Sequence, residues 1–168
     1  LKLCETYDSA FNIDNVCFTV EEFMDLVKRL PSRSFVLWDE PGVFVGHRDF
    51  YSLSNRIVSI IMQSFRYKFI NVFFALPSMF YMDKVAREMC HYLLQMRARG
   101  VAEVYAIKKN PLNDWTYTPK IGSLILKLPS KKLLEEYEKK RQAHMDAMFE
   151  GLGKQLEVMN KKKDDQIQ

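Results

Sequence analysis

Between two turn signals, Pro31-Ser32 and Pro41-Gly42, lies the run Ser34-Phe35-Val36-Leu37-Trp38-Asp39-Glu40, which restricts the fold more than any other stretch. Four apolar residues bounded so closely by breakers are too few for a helix and read as an interior strand. Two carboxylates follow at once. In an open α/β sheet the carboxyl ends of the strands border the ligand crevice, so acids placed there sit where chemistry is done. An aspartate in that position can hold Mg²⁺ through oxygen, and a glutamate beside it can orient or deprotonate a water. The same string also suits the start of a solvated loop.

The segments on either side decide how such a strand is covered. Asn12 to Phe18 alternates imperfectly and predicts a short edge-type strand. Thr19 and Glu22 have capping-box spacing, and Val20, Phe23, Leu26, Val27 and Leu30 recur at helical intervals until Pro31. Phe50, Leu53, Ile57, Ile60, Ile61 and Phe65 predict a second amphipathic helix, followed by a buried strand within Phe69–Ala75. Strand, helix, strand implies a βαβ crossover and a parallel pair. Asp39, Glu40 and Ser78 are then expected at one sheet edge.

Downstream, Asp83 predicts the cap of a helix through Met89; Cys90–Arg97 suits either a continued helix or a strand, and with a strand at Val101–Ile107 after Gly100 the second choice makes residues 91–107 a hairpin. Asn110–Asp114 is a loop, Trp115–Thr118 a short extended piece, and Ile121–Leu128 a further strand. Ser130 is expected to cap a long lysine-rich helix weakened near Gly151 and Gly153, with Lys161–Asp165 as a solvated tail. Residues 1–12 show no cap and no obvious element. The expected fold is α/β, a mainly parallel sheet flanked by helices, with a β-rich segment and a long C-terminal helix. Its expected division is 1–128 and 129–168.

With 168 residues, 48% of them hydrophobic, the chain can bury a real core. A net charge of +4 and a pI near 8.9 allow contact with a polyanion, although acids offset many of the C-terminal lysines. Cys4, Cys17 and Cys90 form no C-x-x-C pair, which points to a reducing, cytoplasmic setting rather than a disulfide framework. His47, Cys90, His91 and His144 show no recognisable ligand spacing, so no metal or thiol site is expected among them. The apolar stretch Phe69–Met82 is too short and interrupted to span a bilayer. An opening Leu1 suggests the later part of something longer.

Phe35-Val-Leu-Trp38-Asp39-Glu40 resembles the Walker B element, with an added catalytic glutamate, of the P-loop ATPases that include the HerA, FtsK and conjugative-motor families. The order of elements adds to the resemblance: Arg48-Asp49 entering a helix, Gln63-Ser-Phe-Arg66-Tyr-Lys68, then a strand running to Ser78. The likeness covers roughly residues 12–90. It implies an ATP-driven motor acting on DNA, assembled as a homo-oligomer or ring, with ATP and Mg²⁺ as cofactors. By that likeness Asp39 serves the Mg²⁺ water shell, Glu40 polarises the attacking water, and Arg66 or Arg48 reaches a neighbour's nucleotide. Ser78 stands where the sensor strand of such motors touches the γ-phosphate.

Two departures run against it. No G-x-x-x-x-G-K-[ST] occurs, so a phosphate-cradling loop must come from elsewhere, or the protein is not an active ATPase. The sensor strand ends in Leu76-Pro77-Ser78 rather than Gln or Asn, and a serine there also suits a turn cap. Arg48 can pair with Asp49, and Arg56 suits a solvated helix face. The alternative function is a non-catalytic α/β adaptor or DNA-binding module.

Overall fold

The computed structural model describes residues 1–39, 65–82, 84–113 and 115–165. The capping box predicted from Thr19 and Glu22 is formed. Thr19 Oγ1 accepts from the Glu22 amide at 3.2 Å, while the Glu22 carboxylate accepts from the Phe18 and Thr19 amides at 2.8 and 3.4 Å. These bonds satisfy donors that a helix start leaves orphaned. They begin helix α2 (Val20–Arg29), which ends at an extended Leu30 before Pro31; α1 is the short N-terminal helix Lys2–Tyr7.

Helix α2 joins β1 (Val16–Cys17) to β2 (Phe35–Asp39), and β3 (Asn71–Ala75) follows. The three strands form one parallel sheet in the order β1-β2-β3. Side chains alternate across a strand, so Val36 and Trp38 share one face with Val72 and Phe74. Against that face α2 turns Val20, Phe23 and Leu26, and Ile70, Met82 and Ala86 complete the core. Phe23 stacks on Trp38 with ring centroids 4.4 Å apart. On the other face Phe35 stacks on Phe73 at 6.0 Å, and Val16 and Leu37 are buried.

Where β1 has not yet begun, side chains replace its ladder. Asp8 Oδ2 accepts from the Phe35 amide and Asn15 Nδ2 donates to the Phe35 carbonyl, both at 3.0 Å. A central strand thereby keeps its backbone groups satisfied although its neighbour is only two residues long.

After helix α3 (Lys84–Met89) the chain turns antiparallel. Strands β4 (Tyr92–Ala98), β5 (Val101–Ala106) and β8 (Lys120–Ile125) pair in the order β4-β5-β8. Two-residue strands β6 (Lys108–Lys109) and β7 (Thr116–Tyr117) pair with each other and continue the β5 and β8 arms outward. Gly100 turns β4 into β5 at φ 76°; a Cβ there would lie 2.7 Å from the Leu126 carbonyl oxygen, which only glycine avoids.

Three expectations need correction. The sheet content is not mainly parallel: three strands are parallel and five lie in antiparallel sheets among the described residues. The connection between β5 and β8 is long enough for a crossover but carries β6 and β7, which pair with each other and fold it back, so β5 and β8 lie antiparallel. Residues 2–7 do form a short helix, held by Asp8 N donating to Cys4 O and by Cys4 buried beneath it.

The third concerns the C-terminal helix. Helix α4 (Lys131–Asp165) runs through both glycines and through Lys161–Asp165. Lys154 and Glu150 bridge the glycine pair at 3.2 Å, and Lys131–Glu135 and Lys132–Glu136 repeat the same four-residue spacing. The chain divides into two units, Leu1–Ser130 and Lys131–Gln168. Among the described residues no helix is long and apolar enough to cross a membrane.

Candidate functional site at the carboxyl edge of the parallel sheet

Asp39 is the last residue of β2, buried to 8% exposure and in register with Ala75 at the end of β3. Its backbone is held from both sides. Trp38 is clamped between the Phe23 and Phe74 rings and donates Nε1–H to the Phe18 carbonyl at 3.4 Å, while β3 pairs along the whole length of β2. The carboxylate therefore stands on a rigid element, as a site residue needs to. Glu40, Arg48, the helical pattern at 50–64 and the cap expected at Asp83 lie outside the described residues.

Because β2 and β3 are parallel, the segment after Ala75 leaves the sheet at the same edge as Asp39. Ser78 lies there, three residues on. Its Oγ accepts from the Phe80 amide at 3.3 Å and caps the 3₁₀ turn Met79–Tyr81. That hydroxyl is engaged in the turn-capping role the sequence allowed for it. Phe80, exposed on the turn, carries the Arg87 guanidinium 5.2 Å from its ring centroid.

Arg66 is elsewhere. Its backbone belongs to the 3₁₀ turn Phe65–Lys68, which enters β3 at its amino end. About 13 Å of strand separates that edge from Asp39 at 3.3 Å per residue. Lys68 from the same basic segment donates to the carbonyls of Val27 and Lys28, at 2.8 and 2.6 Å, neutralising the C-terminal end of α2. One chain thus brings Asp39 and Ser78 to one edge and sets Arg66 at the opposite one. Sequence reasoning missed Lys68 as a helix cap, although a lysine entering the strand beside a helix end is a signal for it.

The resemblance to P-loop motors also leads one to expect the phosphate-loop strand between the Walker B and sensor strands. Here β2 and β3 bond directly over five residue pairs, from Phe35↔Asn71 to Asp39↔Ala75, and no strand lies between them. Among the described residues the outer edge of β3 has no strand partner.

The other reactive groups are built for structure. Burial pushes the Cys4 thiol up to about 11 and raises that of Cys90, so neither is a ready nucleophile near neutral pH. On the antiparallel sheet Glu103 is held down at about 2, first by the hydrogen bond from Lys120 at 2.6 Å, then by those from Tyr105 at 2.8 Å and Arg97 at 2.5 Å. It is a fixed anion pinning three strands, not a base. Among the described residues no group of three His, Cys, Asp or Glu converges as a metal cage. No protein-family model matches the chain, and no curated protein and no solved structure matches it.

Proposed function

We propose that this chain supplies the Walker B half of an ATP-driven DNA motor of the HerA/FtsK kind. The observation that carries it is Asp39, buried at the carboxyl end of the middle strand of a parallel sheet; the direct pairing of β2 with β3 departs from the strand order the likeness implies. A single carboxylate fits Mg²⁺, which keeps most of its water and takes one or two protein oxygens beside the phosphates. The residues of 1–168 do not fit the phosphates, for no Gly-rich loop is present. That loop and its strand would come from another segment or another chain, and the outer edge of β3 is where such a strand can pair.

On this proposal Asp39 holds the Mg²⁺ water shell and Glu40 accepts the proton of the attacking water. Arg66, at the opposite sheet edge, serves the site of a neighbouring subunit, which requires a homo-oligomer such as a ring; Arg48 is the other arginine proposed for that role. Ser78 Oγ accepts from the Phe80 amide, which leaves its O–H able to donate to a phosphate. Glu40→Gln in the assembly that contains the phosphate loop should abolish DNA-stimulated ATP hydrolysis while nucleotide still binds. Hydrolysis that survives the change, or equal loss of folding and nucleotide binding, refutes the proposal.

The missing loop favours one second reading, a non-catalytic α/β adaptor that contacts DNA. Such an adaptor binds DNA equally well before and after the Glu40→Gln change and hydrolyses no ATP in any assembly.

A further inference from the structure

The net charge of the whole chain, +4, resides in residues 91–128, where six cations face Glu103 and Asp114 alone. The lysine-rich helix is close to neutral by comparison, with nine cations against eight anions over residues 131–165. Within 91–128, Arg97 and Lys120 are bound to Glu103, and Lys109 reaches Glu88 at 3.2 Å. Arg99, Lys108 and Lys127 are exposed and have no carboxylate partner among the described residues.

The outer end of the β5–β8 hairpin adds aromatic surface to this charge. Trp115 is 75% and Tyr117 51% exposed. Trp115 immediately precedes β7 and Tyr117 ends it, so the two exposed rings lie two residues apart at the outer end of the hairpin. Lys108 lies directly across the ladder from Tyr117. The loop joining the strands is set by its own side chains: Asn110 Oδ1 accepts from the Leu112 amide at 2.9 Å, Asn113 Oδ1 from the Trp115 amide at 3.1 Å, and the Asn110 amide donates to Trp115 O at 2.8 Å.

Exposed rings beside an ammonium with no carboxylate partner among the described residues, on a segment with four excess positive charges, match bases and phosphates of an unpaired strand. We propose that the Lys108–Trp115–Tyr117 face of this hairpin binds single-stranded DNA. The choice of DNA as the polyanion rests on the motor proposed above; the binding itself needs neither ATP nor Glu40.

The test is an equilibrium titration of the full chain with 20-nucleotide oligothymidylate, without nucleotide, following tryptophan emission. The chain has two tryptophans, and Trp38 is only 1% exposed, so quenching of solvent-exposed emission reports on Trp115 while the buried emission reports that the fold is intact. Saturable quenching is expected, with affinity falling steeply as salt rises. Trp115→Phe with Tyr117→Ala, read by polarisation of a labelled oligonucleotide, should weaken binding on the order of tenfold, and Lys108→Gln should lower the salt slope by about one. Absence of saturable binding, unchanged affinity in the double variant, or equal binding of duplex DNA, the matching RNA or polyglutamate overturns the proposal. Failure here leaves the ATP hydrolysis test of Glu40 unaffected, and the reverse holds too.

Discussion

Phe23→Ala tests the packing that positions Asp39. Phe23 is fully buried, stacked 4.4 Å from Trp38 and 6.4 Å from Phe74, and it is the largest α2 side chain in the core beneath β2 and β3. Truncating a buried phenylalanine costs about 3–5 kcal/mol, the transfer term plus the cavity it leaves. A domain of this size is stable by only about 5–15 kcal/mol, so the loss is a large share of the whole. At roughly 3 °C per kcal/mol, the midpoint should fall by about 10 °C. Urea unfolding in a Trp115→Phe background isolates Trp38 emission, and the midpoint should drop with the slope unchanged. A second leg followed by circular dichroism, Phe23→Leu combined with Trp38→Leu, should reveal about 1 kcal/mol of coupling between the two rings. A cost for Phe23→Ala below about 1 kcal/mol would refute the docking of α2 on this sheet face, because exposed positions lose that little. The rigid seat of Asp39 would then go with it.

Two further outcomes follow from the same geometry. Thr19→Ala removes the side-chain acceptor for the Glu22 amide and should lower stability by about 1 kcal/mol in urea unfolding, whereas Thr19→Ser should cost much less. Glu103 has a folded-state carboxyl held down at about 2, against 4.5 when free, so its stabilising contribution is fully present above about pH 5 and is lost as pH falls toward 2. Thermal melts of Glu103→Gln and the parent should therefore differ at pH 6 and converge at the acid end; a gap that does not narrow would show that charge is not what Glu103 contributes.

What could be read along the chain was whatever local pattern dictates. Thr19 and Glu22 three residues apart define a helix start because their side chains and amides meet only in that geometry. The apolar run before Asp39 and the one before Ala75 are strands because breakers leave no room for a helical turn, and a helix between β1 and β2 makes the pairing parallel. The strand after Gly100 was legible for the same reason, whereas its partner, open between helix and strand over 90–97, was decided by the antiparallel pairing. The location of Asp39 and Ser78 on a common edge follows from that parallel order alone.

Other features depend on partners far away in sequence, and only the folded chain decides them. Asp8 and Asn15 complete the backbone bonding of Phe35, 27 and 20 residues away, and nothing in their local sequence names that partner. Lys68 lies some forty residues from the α2 carbonyls it neutralises. The turn-capping role favoured for Ser78 is the one it takes, and its partner, the Phe80 amide, was set by the backbone path after β3. The parallel pairing of β2 with β3 was implied by the strand, helix, strand pattern, whereas its register, Phe35↔Asn71 to Asp39↔Ala75, was set only by the folded sheet. Periodicity fixes which side of an element is apolar; the identity of what it meets is set by long-range burial and by the requirement that every buried amide and carboxylate find a partner.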